Sequence, residues 1–217
     1  MEKTLNKTLT IINENEKLIA NILHDIKSPL YSIKMGLQNK LDNELNRDVF
    51  ETTVDVINYI ENFLVNYSFK LGKFENKTTK CDIKKIIDKK IENFKYIFIN
   101  KNIHIDMVLD EGNYIVNSIE IFLSSIIGNI ISNIAFHACK NQTAEIEIKK
   151  RNDCIFVNFT NLYNSSTDDF SLGLGFCRKL AYLTKVDLKF KKTSNKVVVN
   201  LKIPELKSSL KRQIIGI

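Results

Sequence analysis

Apolar positions in the N-terminal part of the chain recur at three- and four-residue intervals: Leu5, Leu9, Ile12, Ile19, Ile22, Leu23, Ile26, Leu30, Ile33 and Leu37. That period lines one side of a helix, and the spacing predicts one long helix over 5–41. Asp42, Asn43 and Asn46 mark a short polar turn. A second helix follows, with Val49, Phe50, Val54, Ile57, Ile60, Phe63, Leu64 and Tyr67 on its apolar side. Two long amphipathic helices with a short connection form an antiparallel hairpin. A hairpin alone cannot cover both stripes, whereas two of them make a four-helix bundle. The pattern therefore predicts a homodimer.

Past Gly72 the period changes. A short strand over 80–82 leads into a helix over 83–99, and alternating Ile103, Ile105 and Met107 predict a strand. Another strand is expected at 114–116, a long helix at 119–139, and two alternating strands at 145–149 and 154–159. A further helix begins near Gly173, and strands at 188–190 and 197–203 close the pattern. The expected fold class is α+β. A helical hairpin over 1–72 precedes an α/β sandwich over 73–206, with helices on one face of a mixed sheet. The tail, 207–217, is expected to fray.

Composition narrows the function classes. Hydrophobic residues make up 44% of the 217 and charged ones 26%, the balance of a soluble globular chain. The net charge of +7 is spread among interleaved acidic residues, with no aromatic–basic repeat. No nucleic-acid partner is expected, and a mildly basic surface suits an acidic protein partner. Cys81, Cys139, Cys154 and Cys177 form no CxxC pair and read as reduced thiols. The most apolar stretch, 119–138, carries Asn129, Asn133, His137 and several serines at helical spacing, unlike a membrane span. The first residues, MEKTLNKTLTIINENEK, lack the apolar core of a signal peptide. The expectation is a cytoplasmic protein without membrane insertion.

Three segments can carry chemistry. The first is His24-Asp25-Ile26-Lys27-Ser28-Pro29-Leu30 on the first helix. Phosphoryl transfer through histidine needs an exposed ring nitrogen beside a carboxylate that takes a proton or sets the tautomer, as Asp25 can. Pro29 removes one backbone donor just after the site. Ser28 lies one turn beyond His24 on the same side, where its hydroxyl can orient water. The second is Gly128-Asn129-Ile130-Ile131-Ser132-Asn133, whose two asparagines, one turn apart, offer amide oxygens suited to Mg²⁺. The third is Ser171-Leu172-Gly173-Leu174-Gly175, where close glycines at a helix start let backbone N–H groups approach an anion. Each alone also fits an ordinary wet helix face or loop-to-helix junction.

In this order and at these distances, the three resemble the transmitter module of sensor histidine kinases. His24 to Leu30 looks like their H-box, HDxxxPL, and the hairpin like the dimerisation and histidine-phosphotransfer domain. Asn129 and Asn133 match the N-box, NLLxNAxKH, and Gly173-Leu174-Gly175 matches the G2 box, GxGLGL. The stretch 62–105 also follows the family's hydrophobic pattern, so the resemblance covers nearly the whole chain. It implies His24, Asp25 and Ser28 as catalytic residues. It implies Asn129, Asn133, Asn161, Gly173 and Gly175 as nucleotide positions, with Asn133 as the Mg²⁺ ligand.

The departures gather at the nucleotide. The family's G1 box is DxGxG, whose Asp reads the adenine amino group. Alternation along Ile155, Val157 and Phe159 puts Asn161 at the Asp position, and Tyr163 and Ser165 at the glycines. Phe136 stands at the N-box Lys and Ser171 at the first G2 glycine. The stretch NLYNSSTDDFSL before Gly173 is too short for the usual lid. These losses imply weak or absent ATP binding and autokinase activity, while the hairpin keeps His24, Asp25, Ser28 and Pro29. The expected activity is that of an aspartyl-phosphate phosphatase or histidine phosphotransferase acting on a response regulator receiver domain, which brings its own Mg²⁺. In bifunctional members of the family the residue four after the His is usually Thr or Asn and orients water; Ser28 is a smaller hydroxyl there. An ATP-dependent histidine kinase with an atypical pocket is the alternative, and a regulator-binding scaffold without chemistry is a third.

Overall fold

A computed structural model describes residues 2–38, 40, 44–70, 78–163 and 171–204, with side chains from 19 onward except 66, 68–70 and 171–174. The chain divides into two compact units, Met1–Phe74 and Glu75–Ile217. The tail at 207–217 lies outside the described residues.

The first unit is a helical hairpin of α1 (Glu2–Leu37) and α2 (Glu44–Lys70). Helix α1 starts earlier than its apolar pattern because Glu2, Lys3 and Thr4 carry no breaker. It stops short of residue 41, one residue after Gly36, a poor helix former. The Lys40 N–H then folds back to the Leu37 carbonyl at 2.8 Å. Asp42 and Asn43 lie outside the described residues. Asn46, expected in the turn, instead sits in the first turns of α2, and its amide donates to the Lys40 carbonyl at 2.6 Å. Helix α1 continues through Pro29.

The single apolar stripe expected on α1 splits into two. Ala20, Leu23, Lys27, Leu30, Lys34 and Leu37 are the buried or half-buried positions, at alternating three- and four-residue steps, which is the spacing of a seam against one neighbouring helix. Ile19, Ile22, Ile26 and Ile33 lie beside that seam and are exposed, Ile22 by 47%. On α2, Phe50, Val54, Ile57 and Ile60 are buried, while Val49, expected among them, is exposed together with Val56 and Tyr59. The Thr53 hydroxyl is buried and is satisfied by donating to the Val49 carbonyl at 2.6 Å.

The second unit holds β1 (Thr79–Asp82), α3 (Ile83–Asn100), β2 (Ile103–Leu109), β3 (Ile115–Ser118), α4 (Glu120–His137), β4 (Gln142–Arg151), β5 (Cys154–Leu162), α5 (Ser171–Leu183), β6 (Asp187–Lys192) and β7 (Lys196–Pro204). Its main sheet runs in the order β2-β4-β5-β7-β6, with β2 parallel to β4 and every other pair antiparallel. β1 and β3 make a separate two-stranded ribbon. Asp82 caps α3, its carboxylate accepting from the Lys85 N–H at 3.2 Å. Asn152 takes the positive φ of 52° in the two-residue turn between β4 and β5, a conformation asparagine tolerates.

Strand β5 alternates strictly, burying Ile155, Val157, Phe159 and Asn161. Opposite stands α4, buried at Phe122, Leu123, Ile126, Ile127, Ile130, Ile131 and Ile134. It is apolar on nearly every side because α3 and α5 pack beside it and the sheet lies below. By length and composition α4 alone among the described helices is apolar enough to cross a membrane, but 67% of it is buried within the domain, as in a core helix. At Gly128 the Lys90 chain crosses α4 at 3.1 Å from where a Cβ would stand.

Burial predicts thiol behaviour. Cys81 and Cys177 are buried, and burial pushes the Cys177 thiol up to about 12. Cys139 and Cys154 are half-exposed. In native protein an aromatic disulfide reagent titrates Cys139 and Cys154 at neutral pH, and Cys81 and Cys177 only after unfolding. Rapid modification of Cys177 in the native state would contradict the packing of α5.

Candidate functional site

On α1, His24 and Asp25 are the most open of the three hairpin residues, with side chains 80% and 85% exposed. The His24 Nδ1 faces the Asp25 carboxylate at 3.7 Å. A proton on Nδ1 leaves Nε2 as the nucleophilic nitrogen, pointing away from the carboxylate. Ser28 is exposed one turn on, and its carbonyl accepts from the Ser32 hydroxyl at 3.3 Å. Pro29 has no N–H to give the Asp25 carbonyl. All three predicted hairpin residues therefore lie on one open helical face.

Sequence reasoning passed over what lies beside that face. Glu61 of α2 holds the Lys27 ammonium at 3.0 Å and accepts from the Tyr31 hydroxyl at 2.9 Å. Lys27 and Lys34 flank the Tyr31 ring, 5.6 and 5.8 Å from its centroid. Burial, then Glu61, raises the Tyr31 hydroxyl pKa, so the phenol stays a donor. Burial lowers that of Lys34, against the pull of Glu61. The signal was available: Lys27 and Tyr31 stand three and seven residues beyond His24, on its side of the helix.

In the second unit Asn133 and Asn161 line one void, while Asn129, one turn before Asn133 on α4, is not among its lining residues. Asn133, Ile130 and Ile134 of α4 face Phe159, Asn161, Phe190, Val197 and Val199 of the sheet across a narrow void. It has room for about one water molecule. Asn161 is buried, and its amide donates to the Leu162 carbonyl at 2.9 Å. Asn129 is half-buried and donates to the Ser125 carbonyl, one turn back, at 2.8 Å. Among the described residues, no group of three or more His, Cys, Asp or Glu side chains could hold a metal.

Tyr163 continues the inward alternation of β5. Its side chain is buried, its N–H donates to the Asn195 carbonyl at 2.8 Å, and Lys192 sits 4.4 Å above its ring. Phe136 packs edge-on against Phe94 of α3, at 6.0 Å between centroids. Its carbonyl accepts from the Lys101 ammonium at 2.6 Å. Ser165 lies outside the described residues. The helix expected to begin near Gly173 is α5, described from Ser171, so Gly173 and Gly175 lie within it. Gly175 is exposed, with open space where a Cβ would stand.

No family model matches the chain. It is 27% identical over 158 residues to the sensor protein KdpD of Clostridium acetobutylicum, covering 66% of this chain and 17% of that protein. The chain thus spans about a sixth of the length of that relative. Among solved structures, the histidine kinase AdeS of Acinetobacter baumannii superposes with a TM-score of 0.59 at 14% identity, covering 85% of this chain and 98% of that one. The catalytic domain of the histidine kinase ThkA gives a TM-score of 0.53 at 17% identity, covering 59% of this chain and 97% of that one. At these identities the structural likeness establishes the fold. The chain has the fold of sensor histidine kinases and resembles one sensor protein in sequence.

Within this histidine kinase fold, the two clusters obey different physics. The hairpin residues need only exposure and a fixed helical spacing. The pocket residues need an open, hydrated cavity, and Asn161 stands instead in an apolar setting. Asn161→Asp would turn the donated amide hydrogen into a carboxylate facing a carbonyl, and is expected to cost about 1–3 kcal/mol at neutral pH. Burial raises the folded-state pKa of such a carboxyl above its unfolded value of about 4, so the folded state keeps the proton longer. The deficit against the wild-type chain therefore grows as pH rises between those two pKa values. Urea midpoints for both proteins at acidic and neutral pH check this, and an unchanged or stabilised variant at neutral pH would mean that Asn161 stands in water.

Proposed function

We propose that this chain is a cytoplasmic two-component signalling protein acting on a response regulator, as aspartyl-phosphate phosphatase or histidine phosphotransferase rather than as an autokinase. What supports the reading is the contrast between the open His24, Asp25 and Ser28 face and the near-closed void between Asn133 and Asn161. Among the described residues, the space between Asn133 and Asn161 holds about one water, less than a nucleotide base needs. The described residues lining the void beside Asn133 include one further polar side chain, Asn161, and no carboxylate to offer Mg²⁺. The chemistry then falls to the hairpin. In phosphotransfer, the Nε2 of His24 attacks the regulator's acyl phosphate, and Asp25 stabilises the proton on Nδ1. In hydrolysis, the Ser28 hydroxyl orients a water in line with the phosphorus, and the regulator's own Mg²⁺ supports the developing charge.

A homodimer accompanies this reading. The exposed stripe Ile19, Ile22, Ile26 and Ile33, with Val49, Val56 and Tyr59 of α2, is apolar surface that a second hairpin would cover. Ile26→Glu is expected to convert a dimer into a monomer in light scattering, whereas Lys40→Glu leaves it dimeric. A monomeric wild-type chain would remove the four-helix bundle.

The decisive assay incubates the full chain with Mg²⁺ and γ-labelled ATP, then looks for acid-labile, alkali-stable label. None is expected. Label that vanishes in His24→Ala would instead make the chain an ATP-dependent kinase, the reading that the likeness to histidine kinase catalytic domains favours. With a phosphorylated receiver domain as substrate, Ser28→Ala should slow phosphate release at least about tenfold.

A further inference from the structure

Lys27 occupies an unusual position. It stands in the α1 seam, where Leu23 and Leu30 are its neighbours one turn either way, yet it is a cation. At 3.6 residues per turn it lies only about 60° around the helix from His24. Its ammonium is held by Glu61 at 3.0 Å, and both side chains are about one-third exposed. A charge in a helical seam commonly fixes register. Here it also flanks the open nucleophile. A phosphoryl group on His24 would bring about two negative charges beside Asp25, which is itself exposed and close. Three residues along a helix place Cβ atoms about 5–6 Å apart, a span the lysine stem covers.

We propose that Lys27 is the counter-ion for a phosphoryl group on His24, kept in reserve by Glu61 while the histidine is unmodified. The inference rests on the reading of His24 as a phosphoryl acceptor. On phosphorylation the ammonium exchanges one carboxylate for the more highly charged phosphoryl oxygens. Glu61 keeps its hydrogen bond from Tyr31, at 2.9 Å, so it is not left without a donor when Lys27 departs. Lys34 lies further along the helix, three residues past Tyr31, and burial already disfavours its charge. Glu61 is thus a positioning residue and Lys27 a phosphoryl-binding one.

The test uses phosphoramidate as a small phosphoryl donor on the full chain. The His24 Nε2 attacks phosphorus and an N–P bond forms. The donor's P–N bond breaks, and ammonia leaves carrying the proton lost by the imidazole. Formation of acid-labile, alkali-stable phosphoprotein is followed over donor concentration, with circular dichroism confirming the fold of each variant. Lys27→Gln should raise the donor KM or lower the rate about tenfold, and Lys27→Arg should restore it. Glu61→Gln should leave the rate unchanged or raise it, because it frees the lysine. A purely structural ion pair predicts the opposite pattern, in which Lys27→Gln and Glu61→Gln fail alike, and that result overturns the proposal. So does a Lys27→Gln rate equal to the wild-type one. If the wild-type chain takes no label on His24 at all, the phosphoryl-acceptor reading falls, and this inference with it.

Discussion

Helix α4 has apolar residues on nearly every side, and water cannot be allowed to reach most of them. That constraint arranges the second unit: α3 and α5 pack beside α4, and the inward residues of β5 and β7 lie beneath it. Burying one Ile, Leu or Phe side chain is worth about 1.5–3 kcal/mol, so a helix with seven such residues buried dominates the packing of this small domain. The same constraint decides what becomes of Asn133 and Asn161. They are polar residues carried into a seam that closes around them. A cavity between them persists only if something holds the walls apart, and the void that Phe159, Phe190, Val197 and Val199 line there has room for about one water.

The hairpin answers to a weaker constraint. On α2 its seam buries Phe50, Val54, Ile57 and Ile60, while the α1 side is mostly half-buried and includes two lysines, so Glu61 and Tyr31 add polar links to the hydrocarbon contact. Exposed ion pairs contribute little stability each. A pair about one-third exposed, shared with a phenol donor, specifies register more than it adds energy. That leaves an apolar stripe beside the seam exposed among the described residues.

The legible parts of the sequence were those set by local periodicity. Every strand and helix expected from alternation or helical spacing has a counterpart, because Ile155, Val157 and Phe159, or Ile126, Ile130 and Ile134, carry unambiguous periods. Asn161 was placed on the inner side of β5 by extending that alternation, and it is buried there. What was not legible depends on side chains meeting across elements. One apolar stripe on α1 proved to be two, since spacing alone cannot separate a seam from an adjacent face. Glu61 is remote from His24 in sequence and belongs to no motif. The burial of Tyr163 beneath Lys192 depends on the β6–β7 turn reaching the end of β5, a pairing that no local pattern encodes. The helix expected to begin near Gly173 is described from Ser171, within the usual latitude of a helix boundary.

These constraints bear differently on the chemistry each unit can keep. A pocket for a nucleotide needs many residues to agree: glycines that leave space, a carboxylate that stays hydrated, and walls that stay apart. One buried tyrosine at a glycine position, or one phenylalanine recruited to pack on α3, alters it without harming the fold, because the apolar core gains from each. An exposed nucleophile on a helix needs only its own ring, a neighbouring carboxylate and a hydroxyl one turn away. These are fixed by backbone periodicity alone and are insensitive to how the core fills. In a chain of this fold, therefore, substitutions that narrow a nucleotide pocket need not disturb the hairpin chemistry, whereas a cavity is costly to maintain in any core.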